Sequence, residues 1–301
     1  MPTPIPFNRA LEFTYGEPAR LTPLIRRVIA ENPSAFTFHG TGTYIIGADA
    51  PGAAVAVIDP GPDDDDHVAA LLRAVAGQRV SHILITHTHR DHSPAAAALK
   101  AATGAPTLGY GPHARYDGEG VEAGGDLDFV PDRVLGDGAV VAGEGWTFEA
   151  VHTPGHTSNH LSFALREENA LFCGDHVMGW STTIVSPPDG DMHDYMNSLA
   201  KLRARGETRY YPTHGAPIDA PHTFLDALIA HRQEREAQIA ACLADGVGRI
   251  PDMVKRMYAD VDAKLHPAAA RSVLAHLEHM VATGRAACEG VPQAGSVYRA
   301  A

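Results

Sequence analysis

With 301 residues, 45% of them hydrophobic, the chain can bury one large core and a second, smaller one. Residues 248–301 hold seven Lys+Arg against five Asp+Glu, a balance of +2. With a net charge of −12, residues 1–247 therefore carry −14, which argues against strong nonspecific attraction of the main body to a phosphate backbone but leaves open a nucleic-acid substrate held by a few local cations and a metal. Three cysteines (Cys173, Cys242 and Cys288) without CxxC spacing, and no apolar run long enough to span a membrane, exclude a disulfide scaffold and a membrane-spanning helix and point to a soluble, cytoplasmic protein.

Residues 1–35 are punctuated by proline and are expected to wrap the outside of a first sheet. Between Ala35 and Gly47, strand-like pieces are broken by glycines, and His39 there reads as an ordinary loop or strand residue. Ala53 to Ile58 is a buried strand ending at the turn Asp59-Pro60-Gly61. From spacing alone, Asp59 is either a turn cap or an acceptor that orients a ligating imidazole. The acids Asp63 to Asp66 precede the amphipathic run His67 to Val75, where carboxylates in a first helical turn are expected from the helix dipole.

The apolar strand Val80 to Thr86 runs into His87-Thr88-His89-Arg90-Asp91-His92. Ser93 as N-cap and Pro94 at the first helical position then open an alanine-rich helix through Lys100. On extended backbone His87 and His89 project the same way, while Asp91 and His92 can reach a second centre. Imidazole and carboxylate suit Zn²⁺, Mn²⁺ or Fe. A solvated turn is the bland alternative, but H-x-H-x-D-H arises by chance in a chain of this composition only roughly 0.005 times.

Residues 104–145 read as short strands and loops. The alternating strand Trp146 to Val151 meets His152-Thr153-Pro154-Gly155-His156, and the Pro-Gly turn throws His156 out of the strand line as a candidate ligand. His152 is expected to be packed or hydrogen-bonded, and His160 to stand behind the ligands. Asp175 follows the buried strand Ala170 to Gly174, where a carboxylate can bridge two metals; Cys173 inside that strand is a small apolar residue. His214 follows Arg209 to Thr213. All these candidates sit at strand ends, where α/β proteins gather their sites.

These motifs resemble, in order, those of the metallo-β-lactamase superfamily: H-x-H-x-D-H, Thr153-Pro154-Gly155-His156-Thr157, Phe172-Cys173-Gly174-Asp175 and Thr213-His214-Gly215. The resemblance implies an α/β fold, an αβ/βα sandwich with two divalent metals at one edge, zinc first with manganese or iron as alternatives. Carried over, His87, His89 and His156 would hold one metal, Asp91, His92 and His214 the other, and Asp175 would bridge them. Asp59 would then stand behind a ligand. Thr182-Thr183, Asp194 to Leu199 and His231-Arg232-x-x-Arg235-Glu236-x-Gln238-Ile239 are similar to the branch containing β-lactamase-like protein 2. That branch carries a small winged-helix domain, matched here by helical periodicity over Ile250 to Ala259 and Pro267 to Thr283 and a wing through Tyr298. The implied organisation is a catalytic domain over 1–220, a connecting helix over 221–247 and a winged-helix-like domain over 248–301.

The vertebrate member of that branch cuts single-stranded RNA. The present chain departs from the branch in Ser93-Pro94-Ala95 and in a long loop, Ile184 to Met192, expected at the mouth of the site. Three functions are therefore compared. The first is a dinuclear hydrolase using a metal-bridging hydroxide on a small ester, thioester, lactone or lactam, with Asp91 orienting the nucleophile or accepting a proton. The second is a metal-dependent endoribonuclease, which would need a basic path from Lys255, Arg256, Arg271 and Arg285 to the metals. The third is a non-catalytic protein that keeps a metal for folding; seven ligands argue against it, because structural zinc sites close with four. A small-molecule partner is favoured, RNA is the alternative and no membrane contact is expected; a winged helix often suggests DNA binding, but at only +2 this one suits packing or a homodimer contact at least as well.

Overall fold

The computed structural model describes residues 4–114, 124–260 and 262–301; the remainder of the loop-rich 104–145 stretch, 115–123, lies outside them. Two sheets face each other. The first contains β1 (Ala19–Arg20), β2 (Ile25–Ile29), β3 (Gly42–Ile46), β4 (Ala54–Ile58), β5 (Arg79–Leu84), β6 (Thr107–Gly109) and β7 (Arg133–Val134), hydrogen-bonded in that order. The second contains β8 (Val140–Gly143), β9 (Trp146–His152), β10 (Leu161–Leu165), β11 (Ala170–Gly174) and β12 (Arg209–Pro212), again neighbouring in sequence order. Pairing is parallel from β4 to β7 and between β11 and β12, with a helix in the connections β4–β5, β5–β6 and β11–β12, and antiparallel elsewhere.

The strand sequences explain the layering. Every residue of β4 is buried: Ala56 and Ile58 face the core between the sheets with Phe148, Phe163 and Phe172, while Val55 and Val57 face helices α1 (Asp65–Ala74) and α2 (Ala95–Thr103). The same split holds for β11. Ala170 and Phe172 face the inter-sheet core, and Leu171 and Cys173 face α3 (Met192–Arg203) and α4 (Pro221–Ala244). Strands covered on both faces read as unbroken apolar runs, and each buried Leu, Ile or Phe contributes on the order of 2 kcal/mol. The result is an αβ/βα sandwich.

Two local expectations need correction. Residues 1–35 do more than wrap the sheet: Ala19–Arg20 is its edge strand, Ile25–Ile29 is the next one in, and Ile25 and Val28 are fully buried. Ser93 is not the N-cap of α2. Helix begins at Ala95 with Pro94 at the cap position, and the Ser93 hydroxyl instead donates to Asp126 Oδ2 at 2.6 Å. Asp64 does cap α1, accepting from the amides of Asp66 and His67.

Beyond the sandwich, α5 (Ile250–Met257), α6 (His266–Ala282) and the antiparallel pair β13 (Ala286–Cys288) and β14 (Tyr298–Ala300) form a small unit. Its core takes Ile239, Cys242 and Leu243 from the second half of α4, whereas Phe224, Leu225 and Leu228 from the first half belong to the sandwich. Helix α4 is thus shared by both cores. No helix among the described residues is long and apolar enough to cross a membrane.

Candidate metal centre

Parallel pairing brings the candidate residues to one edge. Ile58 and Leu84 are in register at the ends of β4 and β5, so Asp59 leaves beside the turn carrying His87 to His92. Gly174 and Pro212 are likewise in register, so Asp175 leaves beside Thr213-His214. Three main-chain bonds tie these ends together: Leu161 N to Thr86 O at 2.7 Å, Gly42 N to Thr213 O at 2.8 Å and Thr213 N to Gly174 O at 3.2 Å.

All seven predicted residues converge. Their ligating atoms form three groups within 4.8 Å: His87, His89 and His156; Asp91, His92 and His214; and His87, His92 and Asp175. Nε2 of His87 and Nε2 of His156 lie 2.9 and 3.1 Å from Nδ1 of His89. Tetrahedral nitrogen ligands on a cation at 2.0–2.1 Å would be roughly 3.3 Å apart. In the other group His214 Nε2 is 3.2 Å and His92 Nε2 3.5 Å from Asp91 Oδ2. Asp175 Oδ2 stands between the two groups, 3.4 Å from His214, 3.6 Å from His92 and 3.9 Å from His156.

The donor set passes a direct test of fit to divalent cations. Nε2 of His92, Nε2 of His214 and Oδ1 of Asp175 are buried yet make no hydrogen bond, a costly arrangement unless a ligand completes it. Four of the imidazoles are held by their other nitrogen. His92 Nδ1 donates to Asp59 Oδ2 at 2.9 Å, His156 Nδ1 to the Ile184 carbonyl at 2.7 Å and His214 Nδ1 to the Gly40 carbonyl at 3.1 Å. The Thr86 hydroxyl donates to Asp59 Oδ2, so at 3.1 Å it accepts from His87 Nδ1. Each bond turns the remaining ring nitrogen inward as an acceptor.

Electrostatics divides the set. Burial, reinforced by His92, His89 and His156, pushes the His87 imidazole well below its usual range, so it is neutral. Burial also disfavours charge on His214, but the carboxylates of Asp175 and Asp91 outweigh it and raise it to about 10. Asp91 and Asp175 are held well below the usual carboxylate range by His92 and His214, against the effect of burial. The carboxylate side of the site therefore attracts positive charge, whether a proton or a metal cation.

Residues around the ligands fall as follows. Asp59 is fully buried and takes the second of its two expected roles, accepting from His92 and standing behind that ligand, while its carboxylate makes no bond within its own turn. His160, kept neutral by burial and by His176 and His156, accepts the Asp175 amide at Nε2 and so positions that residue. His152 stacks on Tyr110. His39 is a loop residue packed on Phe13 and Phe38. The loop after Thr183 does reach the site, through Ile184. Residue-by-residue reading missed Thr86, Thr213, Thr88, Asn159 and His113. Thr86 and Thr213 bind Asp59, while Thr88 joins His113 and Asn159 behind His89. A signal was present: Thr precedes His at 86–87, 88–89 and 213–214.

A four-layer αβ/βα sandwich with histidines and carboxylates gathered at one edge defines a metal-dependent hydrolase class. The model of the metallo-beta-lactamase superfamily matches residues 38–214, and that of the beta-lactamase associated winged helix domain matches residues 250–291. A beta-lactamase-like protein 2 homolog of Caenorhabditis elegans is 33% identical over 90% of this chain and 89% of its own length. An atrochrysone carboxyl ACP thioesterase of Aspergillus fumigatus is 36% identical over 74% of this chain and 66% of its own length. Among solved structures, a beta-lactamase domain protein from Burkholderia ambifaria superposes with a TM-score of 0.77 at 20% identity, covering 95% of this chain and 94% of that one. The chain belongs to the metallo-β-lactamase superfamily and carries its associated winged-helix domain. It is a hydrolase of that superfamily.

Proposed function

We propose that this hydrolase is dinuclear and acts on a small thioester or ester. The observation that carries the reading is Asp175 Oδ2, which lies within 3.9 Å of histidines from both groups and so can serve two cations at once. His87, His89 and His156 would hold one divalent ion and Asp91, His92 and His214 the other, with zinc the first choice for this donor set and manganese or iron the alternatives. When bound, such a pair would activate water as a hydroxide nucleophile near neutral pH and would polarise a scissile carbonyl.

The chain's own residues do the rest. Asp91 keeps about a quarter of its side chain exposed (26%) while His92 and His214 keep it ionised, so it is placed to orient an attacking water and take its proton. Ile184, 44% exposed, presents an apolar side chain at the mouth while its carbonyl fixes His156. The thioesterase relative supports an activated acyl substrate over a lactam or lactone.

The ribonuclease alternative receives less support. Arg256 closes on Asp245 at 2.5 Å, Lys255 on Asp252 at 3.4 Å and Arg285 on Glu236, and the whole chain carries −12. Three of the four cations that would form an RNA track are thus engaged by carboxylates. The division into a catalytic part over 1–220, a connecting helix over 221–247 and a winged-helix-like part over 248–301 fits the two matched models, and three free cysteines suit a cytoplasmic protein.

The test is metal content by elemental analysis, combined with hydrolysis of acyl thioesters, esters, a lactone, a lactam and single-stranded RNA by wild type and Asp175→Ala. Two metals per chain, thioester cleavage and loss of both in the variant are expected. Cleavage of RNA alone, or a folded protein that takes up no Zn²⁺, Mn²⁺ or Fe²⁺, would overturn the proposal.

A further inference from the structure

We infer that Arg232, on α4, is a positioning residue of the metal centre, acting through the Thr183–Ile184 segment on Asp175 and His156. The inference rests on the reading of those two residues as ligands.

Arg232 is 4% exposed, and among the described residues no carboxylate makes an ion pair with it. Its guanidinium lies 5.1 Å from the centroid of the Tyr195 ring, and Nη2 donates to the Thr183 carbonyl at 2.5 Å. A cation buried without a carboxylate partner is expensive to keep, and what it holds is two bonds from the site.

The buried hydroxyl of Thr183 donates to the carbonyl of Asp175 at 2.8 Å and to that of His176 at 3.1 Å. The next carbonyl along the chain, that of Ile184, accepts His156 Nδ1 at 2.7 Å. One two-residue stretch therefore sets the backbone of Asp175 and the ring orientation of His156, and Arg232 anchors it from behind.

A second contact converges on the same place. Tyr195, beneath the guanidinium, packs against the His176 ring at 4.7 Å, and its backbone lies so close to Gly155 that a Cβ there would meet it at 2.3 Å. Gly155 immediately precedes His156. Arg232 thus lies on the helix whose first half packs in the sandwich core and whose second half packs in the core of the C-terminal unit. Side chains that hold ligands in place commonly control metal affinity by about 10–100-fold.

The experiment compares full-length wild type with Arg232→Met, Arg232→Lys, Thr183→Val and Arg285→Met. Each is titrated with Co²⁺ against a competing chelator, its ligand-field spectrum recorded, and its thermal unfolding followed. Arg232→Met and Thr183→Val are expected to weaken cobalt binding by about 10–100-fold and to change the spectrum. Arg232→Lys, which keeps one donor, should recover most of both. Arg285→Met removes the ion pair to Glu236 on the same helix and should lower the unfolding temperature without changing cobalt affinity or spectrum.

At saturating cobalt, Arg232→Met should lose kcat while its KM stays near that of wild type. A folded Arg232→Met with wild-type affinity and spectrum overturns the inference. If that variant does not fold, Thr183→Val decides, and unchanged cobalt binding there overturns it equally. Wild type that binds no cobalt would instead defeat the ligand assignment itself.

Discussion

The carboxylate of Asp59 and the imidazole of His92 meet at 2.9 Å with both side chains sealed from solvent. Asp59 Oδ2 also accepts the hydroxyls of Thr86 and Thr213, and Oδ1 the Thr86 amide. One side chain thus joins the ends of β4 and β5 to the end of β12 and turns His92 towards the site. Asp59 adopts φ +48°, a left-handed conformation that Asn also tolerates. Asp59→Asn should therefore fold but lose metal affinity by about 10–100-fold. Asp59→Ala, which leaves His92 unpaired, should lose on the order of 3–5 kcal/mol of stability. Chelator competition and urea unfolding measure the two effects separately; equal metal affinity in wild type and Asp59→Asn would contradict this account.

Gly155 has φ +131°, and a side chain there would collide with the backbone of Tyr195 at the start of α3. Gly155→Ala must shift either the His156 turn or the helix. The expected cost is about 1–3 kcal/mol in urea unfolding, with a larger proportional loss of metal affinity. A variant as stable as wild type would show that the turn can relax without moving α3.

Because the donor groups converge only in the folded chain, divalent cations should stabilise it by mass action. Free Zn²⁺ at a thousand times its dissociation constant adds about 4 kcal/mol, and chelation removes it. Asp175→Ala should lose most of this dependence. The readout is the unfolding midpoint with and without metal, and identical midpoints in wild type would refute the linkage.

Glu278 on α6 is raised to about 7 by burial and by the nearby Asp191 carboxylate. Its folded value lies above the unfolded value of 4.5, so between these limits the native state holds a proton that the unfolded state has released. Glu278 therefore costs nothing below about pH 4.5, destabilises increasingly up to about pH 7, and levels off above it. Glu278→Gln should stabilise by on the order of 1 kcal/mol at pH 8, after allowance for solvent screening, and by nothing at pH 4. Unfolding of both proteins at the two pH values decides the matter; a difference independent of pH would contradict the assignment.

Much of this molecule is legible in its order of residues. Doubly covered strands such as Ala54–Ile58 and Ala170–Gly174 declare themselves as apolar runs, because both faces are buried. Candidate ligands declare themselves by type and by position just past those strands. Ser93 misled, since a good capping residue was engaged by Asp126 from a distant loop, and local propensity yields to a stronger partner brought in by the fold. Proline punctuation of residues 1–35 obscured the first two strands of the first sheet, in which Arg20 and Arg26 turn to Asp49 instead of the core.

Residue order sets the chemistry available: which imidazoles and carboxylates exist, and that strand ends carry them. Tertiary structure alone decided their grouping, because Asp59 meets His92 across 33 positions of the chain, Asp175 meets His214 across 39 and Arg232 meets Thr183 across 49. Parallel register sets the first two meetings and the packing of α4 against the sandwich sets the third, and neither is a property of any one segment.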